Sequence, residues 1–184
     1  MASTESKMMP LGTKAPDFEL RNTVDDSIKS LDSLKGIKGT LVMFICNHCP
    51  FVKHVNQELS KLAKDYVARG IKCVAISSND VENYPQDGPG FMRQNAIDED
   101  FIFPYLYDET QEVAKAYDAA CTPDFYVFDK NLKLVYRGQL DDSRPGNNIP
   151  VTGKDVRKAL DSILDNKEVS QDQKPSIGCN IKWK

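Results

Sequence analysis

One stretch narrows what this chain can fold into more than any other: Leu41-Val-Met-Phe-Ile-Cys-Asn-His-Cys-Pro-Phe-Val-Lys-His54. Leu41 to Ile45 is an uninterrupted apolar run of strand length and reads as a buried strand. It stops at Cys46-Asn47-His48-Cys49-Pro50. Beyond that, Val52, Val55, Leu59, Leu62, Ala63 and Tyr66 recur at spacings of three and four, the repeat of one helix face, and Gly70 marks the stop. A strand therefore passes into a helix through a C-x-x-C pair, which reads as a dithiol that switches between reduced and disulfide states.

The physical reason is the chemistry of thiolates. The thiolate is the nucleophile in disulfide exchange, and a free thiol with a pKa of about 8.5 is only a few per cent ionised at neutral pH. The first turn of a helix offers unpaired N–H groups and a partial positive charge, both of which favour the anion. A three-residue step brings the second sulfur within bonding range on the same turn. His48, between the two cysteines, is placed to stabilise a neighbouring thiolate, which makes the disulfide form easier to reduce. The strand before the pair, Leu41 to Ile45, contains no acid, so it offers no base for Cys49.

Composition excludes several other classes. A chain of 184 residues with 40% hydrophobic and 28% charged residues is long enough for one domain with a sizeable core. A formal net charge of −3 gives no electrostatic case for nucleic acid. No apolar run approaches the roughly 20 residues of a membrane span. The first ten residues lack the apolar centre of a secretory signal, which leads to the expectation of a cytoplasmic protein. Five cysteines (46, 49, 73, 121 and 179) do not read as a secreted disulfide framework. The sequence leaves the oligomeric state open.

The order of elements is β–α–β–α–β–α, then a hairpin and a last helix. Short extended pieces at Ala15–Leu20 and Ser27–Leu31 come first. A strand is expected at Ile71–Ser77, a loop over 78–90, and a helix over Phe91–Asp98. Phe103–Tyr107 leads through Asp108, as a cap, into a helix over Val113–Ala119. Strands at Phe125–Phe128 and Leu132–Tyr136 form the hairpin, and Thr152 caps a final helix carrying Val156, Ala159, Leu160, Ile163 and Leu164. Such alternation implies parallel strands covered by helices, with an antiparallel edge from the hairpin. Residues 1–12 are expected to be flexible, 13–164 to form the domain, and 165–184 to be a C-terminal tail.

With Cys46-x-x-Cys49 at a strand–helix junction and Thr122-Pro123 ahead of a hairpin, the chain resembles the thioredoxin superfamily. Within it, the chain is most similar to redoxins of the alkyl hydroperoxide reductase/thiol-specific antioxidant (AhpC/TSA) type. Ala15-Pro16-Asp17-Phe18, Phe103-Pro104, Ala116-Tyr117, Thr122-Pro123-Asp124-Phe125 and Tyr136-Arg137-Gly138 carry the resemblance, in that order. It implies an α/β thioredoxin-like fold, a central mixed sheet with helices on both faces. It implies that Pro123 is a cis proline facing the dithiol and shaping the groove for a disulfide-bonded partner, with Thr122 and Asn47 beside that partner. The expected activity is thiol–disulfide exchange, with Cys46 attacking, Cys49 resolving and His48 tuning the potential. No cofactor or metal is expected, and electrons would come from a thioredoxin- or glutathione-like donor.

Two other readings stand beside it. Cys49-Pro50 also matches the Cys-Pro of peroxiredoxins, which would make Cys49 the nucleophile of a peroxidase, although the Pro and Thr that should precede it are missing. Alternatively, the fold is a non-catalytic binding module, or holds zinc with His54, Cys121 or Cys179 completing the set of about four ligands. Cys73 reads as plain core. Cys121, beside Thr122-Pro123, and Cys179, in the apolar tail, are the possible extra redox cysteines.

Overall fold

The structure, a computed structural model, describes residues 3–184. In chain order its strands are β1 (Thr4–Glu5), β2 (Glu19–Asn22), β3 (Ile28–Ser30), β4 (Gly39–Phe44), β5 (Ile71–Ser77), β6 (Tyr105–Tyr107), β7 (Cys121–Thr122), β8 (Asp124–Asp129), β9 (Leu134–Gly138) and β10 (Ile177–Asn180). Its helices are α1 (Leu31–Leu34), α2 (Pro50–Val67), α3 (Pro89–Asp98), α4 (Glu112–Ala116) and α5 (Lys154–Leu164), with a 3-10 turn at Pro85–Asp87.

Every residue of β4 is buried, which is why it reads as a continuous apolar run rather than an alternating one. It lies inside a seven-stranded sheet of order β3-β2-β6-β5-β4-β8-β9. The β4–β5 and β5–β6 pairs are parallel, and β8 runs antiparallel to β4 and leads into β9. Alternate residues of β4 serve different cores. Leu41 and Met43, with Ile45, pack under α2, α3 and α5; Val42 and Phe44 pack against α1, α4 and Tyr117. Helices thus cover both faces of a mixed sheet, the thioredoxin-like arrangement. Six side chains of α2 (Val52, Val55, Leu59, Leu62, Ala63 and Tyr66) face the first core, and each large aliphatic one contributes about 1.5–3 kcal/mol on burial. That burial fixes the axis of α2 and therefore where its N-terminus points.

The element boundaries differ from expectation where polar side chains direct the backbone. Thr152 does not cap α5. Gly153 occupies the cap position at φ +66°, and the carboxylate of Asp141 accepts hydrogen bonds from the Thr152 and Gly153 amides at 2.8 and 2.7 Å. Asp108 is not the cap of α4 either; Gln111 holds that position at φ 65°, while the Asp108 carboxylate reaches the amides of Val113 and Ala114 at 3.4 and 2.9 Å. The second extended piece ends at Ser30, where a Ser30/Ser33 capping box starts the short helix α1. The hairpin's return strand begins two residues late, because Leu132 takes a left-handed turn conformation (φ 58°) while the Asp129 side chain holds the Asn131 and Lys133 amides.

The N-terminal end of the chain is the larger correction. Residues 1–12 were expected to be flexible. Met1 and Ala2 lie outside the described residues, but β1 pairs with β10, Met9 is buried and Gly12 donates to the Leu134 carbonyl. The tail is held equally firmly. β10 lies between β1 and β7 in a separate three-stranded sheet, with Cys179 opposite Thr122 and Asn180 opposite Cys121. Both ends of the described chain therefore pack back onto the rest of the fold.

Candidate active site

β4 delivers Cys46 at its C-terminal end, and Cys49 sits at the N-cap position of α2 with Pro50 as the first helical residue. Proline suits that place, since its missing N–H would have no intrahelical partner there. Both sulfurs are buried, and both meet Thr122. The Cys46 sulfur is 3.5 Å from the Thr122 hydroxyl, and the Cys49 sulfur is 3.3 Å from the Thr122 carbonyl. The Thr122–Pro123 peptide is cis. All five cysteines are free thiols.

The surroundings separate the two sulfurs. The Cys49 sulfur lies 2.7 Å from that of Cys179, the Cys46 thiol and the Val52 and Cys179 amides favour its anion, and the first turn of α2 carries no acid. Together these hold its pKa down, to about 5, against burial. The Thr122 carbonyl, which accepts from the neutral thiol, works the other way. Cys46 is pushed well above its ordinary value. The neighbouring Cys49 sulfur is the largest cause, burial the next, and the nearby Asp87 carboxylate adds to both. These surroundings favour the anion on Cys49 over Cys46, because the cap position and the amides of the first turn of α2 fall at the second cysteine.

Asp87 is the residue that sequence reading missed. It sits in what was expected to be a plain loop and is fully buried. Its carboxylate accepts from the Asn47 amide at 2.8 Å, the His48 amide at 3.1 Å and the Asn79 side chain at 2.9 Å, and pairs with the His48 ring Nδ1 at 2.5 Å. It thus satisfies the backbone between the two cysteines. The run Asp87-Gly88-Pro89-Gly90 shows a turn, but nothing in it shows that the turn folds over the dithiol. His48 is held by Asp87 and stacks on Tyr84 (centroids 5.6 Å apart, planes at 11°), with a ring nitrogen within 4.8 Å of the Cys46 sulfur. Asn47, expected to contact a partner, has both ends of its amide engaged: it donates to the Gln86 carbonyl and accepts from the Tyr105 hydroxyl, each at 3.0 Å. Thr122, expected to line a partner groove, has its edge occupied by β10.

Two expected extra cysteines part company here. Cys121 is buried, its sulfur no nearer than 4.0 Å to the Pro123 and Ser176 carbonyls, and burial beside Asp124 pushes its pKa up. Cys179 lies with its sulfur 2.7 Å from that of Cys49. Its own pKa is raised to about 12, by burial first and by the bond to Cys49 second. Cys73 is core, raised to about 12 by burial alone. Of the residues expected to complete a zinc set, His54 is turned to Ser143, its Nε2 bonded to the hydroxyl at 2.7 Å. Among the described residues, Cys46, His48 and Asp87 bring metal-ligating atoms within 4.8 Å of one another, but both oxygens of Asp87 already accept two hydrogen bonds each.

A model of the AhpC/TSA family matches residues 11–137. The chain belongs to the AhpC/TSA family. The thiol-disulfide oxidoreductase ResA of Oceanobacillus iheyensis is 30% identical over 142 residues, which is 74% of this chain and 69% of ResA. The crystal structure of an uncharacterised conserved protein from Geobacillus kaustophilus is 60% identical with a TM-score of 0.99, covering 100% of this chain and 97% of that one. A hypothetical protein from Sinorhizobium meliloti is 46% identical with a TM-score of 0.96, covering 98% of each chain. Solved structures at 15–23% identity share the thioredoxin-like fold. As an AhpC/TSA redoxin the chain is an oxidoreductase, and β10 with Cys179 lies beyond the residues matched to the family. No helix among the described residues is long and apolar enough to cross a membrane.

Proposed function

We propose that the chain is a thiol–disulfide oxidoreductase in which Cys49 is the attacking thiolate and Cys46 the resolving thiol. The observation that carries this reading is the Cys49 sulfur at the cap of α2, with the Cys46 sulfur beside it and both sulfurs resting on Thr122. The Cys49 thiolate attacks one sulfur of a partner disulfide. A Cys49–partner bond forms and the other partner sulfur leaves as a thiolate, which takes up a proton. Cys46 then gives up its proton and attacks Cys49; the Cys46–Cys49 bond forms and the second partner thiol is released. Two electrons pass from the dithiol to the partner. Thr122 and cis Pro123 fix the floor under both sulfurs, and Asp87 holds the connecting amides still. A thioredoxin- or glutathione-like thiol restores the reduced pair.

With insulin as disulfide and dithiothreitol as reductant, Cys49→Ser abolishes turnover; a Cys49→Ser protein that still reduces insulin at the wild-type rate contradicts the reading. The low pKa of Cys49 also favours a second reading, a peroxidase. That reading gains if hydrogen peroxide is consumed in a manner that survives Cys46→Ser but not Cys49→Ser, while insulin is not reduced.

A further inference from the structure

The Cys49 sulfur has two thiol neighbours, and the exchange described above uses only one. Cys179 reaches it from 130 residues away, at 2.7 Å, and a shift of about 0.7 Å would bring the pair to bonding distance. Its seat is built by many residues. β10 pairs with β7 so that Cys179 lies opposite Thr122, the residue that touches both dithiol sulfurs. Gly178 is required beside it, since a Cβ there would run into the Thr122 carbonyl. The strand is held from both sides. Ser6 and Ser176 exchange hydrogen bonds before it, and beyond it the Ile181 amide donates to Ala120 while Gln111 and Asn79 hold Lys182. An extended partner peptide adds to a sheet edge through the same backbone pairing. Here the chain's own tail occupies that edge and presents a cysteine at the reactive sulfur.

We infer that Cys179 is a second resolving cysteine, carried by a tethered strand that stands where a partner peptide would pair, so that Cys49 can close a disulfide with either Cys46 or Cys179. In this step a mixed disulfide on Cys49 is attacked by Cys179. The Cys179 thiol gives its proton to the leaving thiolate, the Cys49–Cys179 bond forms, and the bond from Cys49 to the partner breaks. The same two electrons reach the partner, and an external thiol later reduces the new disulfide. The inference rests on Cys49 being the nucleophile.

Glutathione disulfide is the probe, with peptide mapping by mass spectrometry. Cys46→Ser leaves the tail untouched; treated with glutathione disulfide, it is expected to hold no lasting adduct and to show a Cys49–Cys179 link. Cys46→Ser/Cys179→Ser is expected to keep glutathione on Cys49. A stable Cys49 adduct in the single variant, with Cys179 still free, overturns the role of Cys179 while leaving Cys49 as nucleophile. No adduct on Cys49 in the double variant and no Cys49–Cys179 link in the single one overturns both. Diamide oxidation of the single variant reads the same link without any adduct, so a folding defect in the double variant does not hide the answer.

Discussion

Asn79 donates its side-chain amide to Asp87 at 2.9 Å, and its carbonyl end accepts from the backbone of Lys182, also at 2.9 Å. One buried side chain thus ties the acid that orders the Cys46–Cys49 loop to the tail that carries Cys179. Replacing it by Ala leaves a buried carboxylate short of one donor and a buried amide without an acceptor. Asn79→Ala is therefore expected to cost about 1–3 kcal/mol in a urea titration and to speed hydrogen exchange at both the His48 and Lys182 amides. Faster exchange at only one of the two would mean that the segments are not linked through this residue.

Asp87→Asn separates charge from shape. The amide can still accept on one oxygen, but it presents an NH₂ group to donors that now have no partner. A stability loss of about 1–3 kcal/mol follows. The lost negative charge also removes one of the causes that raise Cys46, so the Cys46 pKa falls. Thiol titration of Asp87→Asn in a Cys49→Ser background checks this; an unchanged Cys46 midpoint would show that the carboxylate is not felt there.

The Cys46 thiol is the largest single influence holding the Cys49 pKa down. Cys46→Ala removes the donor and raises the Cys49 pKa, whereas Cys46→Ser keeps an O–H donor and raises it less. Equal shifts in the two variants would locate the effect in packing and not in the bond.

Gly178→Ala places a methyl group against the Thr122 carbonyl. The β7–β10 pairing has to open, at a cost of about 1–3 kcal/mol. Because Cys49 is otherwise fully buried, its alkylation by iodoacetamide should accelerate in this variant. No change in rate would mean that the tail does not cover the sulfur.

The reduced protein should also show a pH signature. Cys49 titrates near 5 when folded, against an ordinary 9.0, so between these values the unfolded chain binds the additional proton and stability rises with pH. That contribution is complete above about 9 and is lost as the pH falls through about 5. Cys46 and Cys179, raised in the folded state, act in the opposite sense and only above their ordinary value of 9.0. The stability gap between wild type and Cys49→Ser, followed by urea midpoint, is expected to widen from pH 5 toward pH 9. A constant gap across that range would contradict the depressed pKa.

Local patterns carried much of this in the sequence. The apolar run of β4, the three-four spacing of α2 and the β-branched residues of β5 are signals that their own residues generate. The strand–dithiol–helix junction, and with it the pair Cys46 and Cys49, was legible for the same reason. What was not legible depends on distance along the chain. Asp87 lies about 40 residues from the amides it holds, and Cys179 lies 130 from the sulfur it meets. Neither has a local pattern that announces its partner. The order of the two thiols was hidden too, because it turns on which sulfur the converging donors reach, and C-x-x-C spacing alone treats both alike. A brief apolar return, Ile177 to Trp183, was the one sign that the tail would pack.

The central claim is that Cys49 is ionised within the folded protein. Thiolate absorbance at 240 nm, titrated for the reduced wild type and for Cys49→Ser under anaerobic conditions, tests it without requiring access to the buried sulfur. The difference between the two curves should rise with a midpoint near pH 5. A difference curve with its midpoint at or above that of a free thiol, about 8.5, would contradict it.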